Sequence, residues 1–101
     1  MSSRTDLQTE LETILGSENV YFQPPPSVMM KYPAIVYSLN RPATRHANNG
    51  LYYLKDSYEI VYIDKKEDID MVHDLLKLPY CSYGRHYISD GMIHNTFTIY
   101  Y

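Results

Sequence analysis

The sequence predicts an α+β domain in which an antiparallel sheet of about four to five strands has two helices packed on one face. The predicted elements follow the order helix, strands, helix and hairpin, which suits a sheet covered on one side. The apolar spacing changes from the helical period to the period of two and back along the chain. At 101 residues, 45% of them hydrophobic, the chain suits a single domain over residues 1–101.

The first helix is predicted over residues 1–16. Its apolar side chains recur at helical spacing and form one stripe, consisting of Leu7, Leu11, Ile14 and Leu15. Ser2 or Ser3 is the expected N-cap, and Gly16 is expected to end the helix. A Pro-rich arm is then predicted over residues 20–31, because consecutive prolines favour a polyproline-type connection and donate no backbone hydrogen bond to a sheet.

The strands of the sheet are predicted over residues 32–63. Residues 32–39 are rich in β-branched and aromatic side chains, as expected for a central strand, and Pro33 is tolerated only at its beginning. The composition of residues 41–50 predicts an exposed loop. Residues 51–63 alternate with period two, and both faces are partly apolar, which indicates a second inner strand.

A second helix is predicted over residues 65–77, with Asp64 as its N-cap. Its expected buried stripe consists of Ile69, Val72, Leu75 and Leu76. The helix should end before Pro79, because the residue preceding a proline disfavours helical angles. A β-hairpin is predicted over residues 84–101, with Asp90-Gly91 as a two-residue turn and a last strand that runs to Tyr101.

Charge and tyrosine content restrict the partners. The formal net charge of -3 argues against broad binding to duplex nucleic acid through phosphate neutralisation. Twelve tyrosines stand beside two phenylalanines and no tryptophan. Such an excess suits a protein interface, and it equally suits a half-exposed sheet face. We also expect a soluble protein made in the cytosol, since no long apolar run or signal-like stretch is present.

Candidate reactive residues give no recognisable catalytic or metal pattern. With Cys81 as its single cysteine, the chain can form no internal disulfide, and we expect this thiol to be buried and structural. The histidines, His46, His73, His86 and His94, match no known metal-ligand spacing. His86 and His94 flank the hairpin turn and are expected to lie close together. A small hydrolase built on His86, His94 and Asp90 therefore remains an alternative, although no catalytic residue, cofactor or metal is predicted.

Four segments carry a family resemblance: VYFQPP at residues 20–25, KYPAIVYS at 31–38, LPYCSYGRHY at 78–87 and NTFTIYY at 95–101. The chain resembles the tail-terminator (tail-completion) proteins of long-tailed bacteriophages over nearly its whole length. These motifs concern packing and turns rather than catalysis. Head-closure and other neck proteins, which join head to tail and have similar size, are the nearest alternative.

The resemblance implies a structural virion protein, not an enzyme, that closes into a homo-hexameric ring on the tail tube. The ring would end tube elongation and bind the tail tube protein and the head-closure or connector protein, at the tail-neck junction of a virion assembled in the host cytoplasm. DNA would pass through the channel without specific binding, and no membrane is involved. A monomeric protein-binding module is the alternative from a different class.

Ring formation requires contacts between different faces of neighbouring subunits, and edge strands suit such contacts because their backbone groups are unpaired. The expected partner-interface residues are Pro24, Pro25, Pro26, Arg41, Arg45, Asn48, Asn49, Tyr100 and Tyr101.

Overall fold

A computed structural model describes residues 4–40 and 57–101. The elements are helix α1 (Arg4–Leu15), strands β1 (Val20–Phe22), β2 (Ala34–Asn40) and β3 (Ser57–Asp64), helix α2 (Ile69–Leu76), and strands β4 (Cys81–Ser89) and β5 (Met92–Tyr100). The predicted α+β class, with two helices and a C-terminal hairpin, is confirmed. Over these two ranges, no helix combines the length and hydropathy needed to cross a membrane.

The five strands form one sheet in the order β1-β2-β3-β5-β4. The β2–β3, β3–β5 and β4–β5 pairs are antiparallel, as predicted, but β1 runs parallel to β2 and makes the sheet mixed. The predicted arm over residues 20–31 therefore begins with a strand. The connection over residues 23–33 returns the chain to the starting end of β1, so β2 runs in the same direction.

The core lies between the helices and one face of the sheet, which we call the front face. Alternate residues of β3 point into it, including Ile60 and Tyr62, and Phe97 of β5 lies beside them. Leu7 and Leu11 of α1 cover the same face and are fully buried. Burial of each such side chain contributes roughly 1.5 to 3 kcal/mol to folding, which explains why the helices remain on this side.

Polar contacts hold α1 on β1 and β2. The guanidinium of Arg4 lies 4.5 Å from the ring centroid of Phe22 and donates to the Tyr37 hydroxyl at 3.2 Å. Tyr37 in turn donates to Gln8 Oε1 at 2.5 Å, and Gln8 Nε2 donates to the Val20 carbonyl at 3.1 Å. The buried Tyr37 hydroxyl therefore has a donor and an acceptor, as a buried polar group requires.

Helix α2 begins later than predicted. Asp68, not Asp64, is the N-cap, and its carboxylate accepts from the Met71 backbone N–H at 3.1 Å. Asp64 belongs to β3, where its carboxylate accepts the Tyr62 hydroxyl at 2.6 Å. The predicted start at residue 65 is wrong because β3 continues through Asp64, but the predicted end before Pro79 is confirmed.

The hairpin has the predicted two-residue turn. Asp90 and Gly91 have φ of 54° and 73°, the positive values of a type I′ turn. Strand β4 begins at Cys81 rather than at residue 84, and β5 ends at Tyr100 rather than Tyr101. A bulge interrupts β4 between Tyr83 and His86, where the register shifts.

Candidate functional site

A groove runs along the front face between α2 and β4. It encloses a volume of about 410 Å³. Its apolar lining consists mainly of Ile69, Val72, Leu76 and Tyr83, and its polar lining of Glu67, His73, His86 and Asn95. We consider it the best-defined binding surface among the described residues, since ligand sites are usually concave and mostly apolar with a few polar groups.

The groove forms because α2 has more apolar surface than the sheet covers. Met71 and Leu75 face the core, whereas Val72 and Leu76 are half-buried, and Ile69 remains 58% exposed. The predicted buried stripe is therefore correct for Leu75 and in part for Val72 and Leu76, which pack against the core, but Met71 is buried in place of Ile69. The helix turns Met71 and Leu75 toward the core. The side of its apolar face that bears Ile69 therefore remains uncovered above β4.

Two contacts hold Tyr83 in the floor of the groove. The Tyr83 hydroxyl donates to Oδ1 of the buried Asn95 at 2.7 Å. The Tyr83 ring meets Phe97 edge-on, with centroids 5.4 Å apart and planes at 84°. Tyr83 is nevertheless 42% exposed, so it offers aromatic surface to a partner while its hydroxyl is held.

The rim of the groove carries titratable groups. His86 Nε2 lies 3.9 Å from Glu67 Oε2, which is an ion pair when the imidazole is protonated. Both side chains are substantially exposed, and such pairs contribute roughly 0 to 1 kcal/mol. His73 joins them from α2, a proximity that only the packing of α2 on β4 creates.

His86 and His94 lie on opposite faces of the sheet. In the hairpin register His86 pairs with Asn95, and Tyr87 pairs with His94. His94 stacks on Tyr87 on the back face, with centroids 4.8 Å apart. The expected proximity of the two histidines is wrong. The two-residue turn already implied this, because it pairs Ser89 with Met92 and so fixes the pairs between the turn and the bulge, which include those of His86 and His94.

The hydrolase alternative requires His86, His94 and Asp90 in one site, and the structure does not bring them together. Asp90 and His94 line a cavity of about 50 Å³ on the back face, whereas His86 lines the groove on the front face. In the two described ranges, no group of three or more His, Cys, Asp or Glu side chains is arranged to hold a metal ion.

Cys81 is half-buried at the start of β4 and packs against the core. Burial raises the pKa of its thiol to about 11. The thiolate, which is the reactive form, is therefore scarce at neutral pH. This favours the structural role over a nucleophilic one.

Several predicted interface residues lie at one end of the sheet. Pro24, Pro25 and Pro26 follow Gln23, whose side-chain Oε1 accepts from the Leu39 N–H at 3.0 Å. Tyr100 pairs with Ser57 at this same end. Pro25 and Pro26 belong to a turn, in which the Val28 N–H donates to the Pro25 carbonyl at 3.1 Å.

Of the other predicted interface residues, the structure describes only Tyr101. The hydroxyl of Tyr101 donates to Glu10 Oε2, and its ring packs against the core, so this residue joins the last strand to α1. Arg41, Arg45, Asn48 and Asn49, like His46, lie outside the described residues.

Two exposed apolar positions were missed by sequence reasoning. Met29, in the segment after the proline turn, is 91% exposed, and Ile88 on β4 is 67% exposed. Met29 carried a weak signal, since it belongs to an apolar Val-Met-Met run outside any periodic segment. The sequence around Ile88 gives no signal of its exposure, because that exposure depends on β4 being an edge strand.

Two comparisons with known proteins found no match. No protein-family model matches the chain, and no curated protein matches it. The tail-terminator resemblance accordingly stays a prediction.

Proposed function

We propose that the chain is a structural assembly subunit that forms a ring on the tail tube of a long-tailed bacteriophage, ends tube elongation and joins the tail to the head connector. The role in the phage tail comes from the family resemblance, and one observation supports assembly into a ring: the two edges of the sheet present different surfaces. Strand β4 and the groove lie at one edge, and β1 with the Pro-rich connection lies at the other.

Strand β4 supports the proposal because it is a long edge. It has nine residues and, within the described part of the chain, pairs with β5 alone. Its outer backbone groups can accept a further strand, which is a common mode of protein association. Ile88 and Tyr83 expose apolar surface along it.

Different surfaces at the two edges favour head-to-tail association. A contact between unlike surfaces produces a ring when the rotation between subunits closes, and a filament when it does not. The hexameric stoichiometry comes from the family resemblance alone.

The end of the sheet that bears Pro24, Pro25, Pro26 and Tyr100 is suited to the other partners, the tail tube protein or the head-closure protein. Arg41, Arg45, Asn48 and Asn49, which lie outside the described residues, would add polar contacts to the same partners. The net charge of -3 favours a channel that repels phosphates, so that DNA passes without specific binding. The ring would reside at the tail-neck junction of the virion.

A monomeric protein-binding module is the second candidate, and the groove favours it. An apolar floor with a polar rim is sufficient to bind a cellular protein without any self-association. The two candidates differ in the mass of the protein in solution, which is that of several copies for the ring and that of one copy for the module.

Native mass spectrometry of the purified chain, alone and with tail tubes, tests the proposal. We expect the mass of a hexamer of the 11.9 kDa chain. Ile88→Lys should lower the ring fraction at least ten-fold, because it places a charge on the open edge. Thr13→Lys, on the exposed side of α1, is the matched control and should leave the ring intact.

A monomer at every concentration, with or without tubes, would exclude the ring and favour the binding module. Electron microscopy of phage particles made without this protein separates the related neck roles. Overlong tails indicate a terminator, whereas tails of normal length that lack heads indicate a head-closure protein.

A further inference from the structure

We infer that the groove receives the arm tip of a second copy of this chain, where the arm tip is residues 27–31 and Met29 is its apolar plug. This inference rests on the proposed self-association and identifies the two surfaces that meet.

The arm tip presents apolar side chains without a cover. Met29 is 91% exposed, and Val28 beside it is also exposed. The turn that the Pro25 carbonyl closes with the Val28 N–H gives this segment a defined shape. Methionine is unbranched and polarisable, so it adapts to an irregular apolar groove.

The base of the arm is fixed to β1. The Lys31 backbone N–H donates to the Tyr21 hydroxyl at 3.1 Å. Because Met29 is two residues away, it can lie at most about 7 Å from Lys31 along the chain. A short, anchored arm loses less conformational entropy on binding than a free one does.

The groove has the complementary character. Its open side is apolar, and Ile69, 58% exposed, is the side chain that a partner would cover. Its volume of about 410 Å³ lies within the range of roughly 300 to 1,000 Å³ that is usual for binding sites.

The charges are complementary as well. The groove lining includes the Glu67 carboxylate, which faces His86, as well as His73, and it includes no lysine or arginine. Residues 24–31 contain the exposed Lys31 and no acidic residue. Opposite charges at the rim of an interface favour the correct register and faster association.

The arm and the groove of one chain lie on opposite faces of the sheet. Val20 and Phe22 of β1 pack toward the core, so Tyr21 between them points to the back face, where its hydroxyl accepts from the Lys31 N–H. Met29 lies within about 7 Å of Lys31, whereas the groove is on the front face beside β4, at the other edge of the sheet. The occupant must therefore belong to another copy, and contact between unlike surfaces is what a ring requires.

Disulfide trapping between two variant chains tests this contact. Met29→Cys and Ile69→Cys proteins are mixed, oxidised gently and analysed by non-reducing electrophoresis. We expect a mixed dimer to form at least ten-fold faster than in a mixture of Met29→Cys with Thr13→Cys, since a disulfide requires Cα atoms within about 7 Å. Wild-type chains, which retain Cys81, give the background rate.

A charge exchange gives an independent measurement. Lys31→Glu and Glu67→Lys should each weaken assembly several-fold, and the double variant should restore it. All of these positions are exposed, so circular dichroism should show an unchanged fold.

The outcomes separate this inference from the proposed function. A ring that persists in Met29→Asp, with trapping no faster than in the control mixture, overturns the arm-in-groove contact and leaves the ring proposal intact. A wild-type chain that stays monomeric under all conditions overturns both.

Discussion

Gly84 lies in the bulge of β4, where the backbone approaches Thr96 of the neighbouring strand. Thr96 Oγ1 accepts from the Arg85 N–H at 2.9 Å. A Cβ atom at position 84 would come closer than 3.0 Å to this hydroxyl oxygen, a separation that real Cβ atoms essentially never show. The bulge thus depends on a residue without a side chain, and it determines how Tyr83 and His86 face the groove.

Gly84→Ala should lower the free energy of unfolding by about 1 to 3 kcal/mol, the usual cost of forcing extra volume into a packed site. Urea denaturation measures this change in the free energy of unfolding. In the Gly84→Ala/Thr96→Ala double variant the losses should be less than additive, because the second change removes the clashing hydroxyl. Full additivity would show that the two residues do not conflict.

The start of α2 shows how an element's boundary is decided outside its own sequence. Asp64 and Asp68 both precede the apolar run, and either residue type can cap a helix. The pairing of β3 with β5 continues through Asp64 and Ile93, which leaves Asp68 as the cap. This start leaves Ile69 exposed in the first turn of α2, on the wall of the groove.

Asp68→Ala should destabilise the protein by about 1 kcal/mol, since the Met71 N–H loses its acceptor. Asp68→Ser is the control and should retain most of the stability because serine also caps helices. Thermal unfolding followed by circular dichroism compares the two. Equal losses in both variants would contradict the capping role.

The elements themselves could be predicted from the sequence because their signals are local. The apolar spacing of α1 and the Asp90-Gly91 turn each lie within a few residues of the structure that they specify. The parallel pairing of β1 could not be predicted, because three residues are too few to show a strand pattern and β1 forms a strand only through its hydrogen bonds to β2. The groove could not be predicted either, since it depends on how α2 packs beside an edge strand.

At the scale of the whole molecule, buried protonated groups link stability to pH. Burial, reinforced by the hydrogen bond to Asp64, raises the pKa of Tyr62. Burial also raises the pKa of Tyr37, although Arg4 opposes this shift, and it raises that of Cys81 to about 11. The unfolded chain releases these protons first as the pH rises, so this stabilisation is complete below about pH 9 and is lost as the pH rises through the folded pKa values.

The free energy of unfolding should therefore decline from about pH 9 upward, and more steeply above pH 10. Tyr62→Phe should flatten the decline above pH 10 by up to about 1.4 kcal/mol per pH unit, the contribution of one proton. Urea denaturation at several pH values gives the slope, with each protein referred to its own stability at pH 7. An identical slope in both proteins would exclude Tyr62 as a source.

Strand β5, which follows the other described strands in the sequence, lies inside the sheet between β3 and β4. Until it emerges from the ribosome, β3 lacks its second neighbour and β4 has no partner at all among the described strands. A growing chain cannot complete its sheet early, so folding must follow the translation of residues 92–100. Protection of the nascent chain against proteases should consequently arise in a single step, once residues 92–100 have left the ribosome.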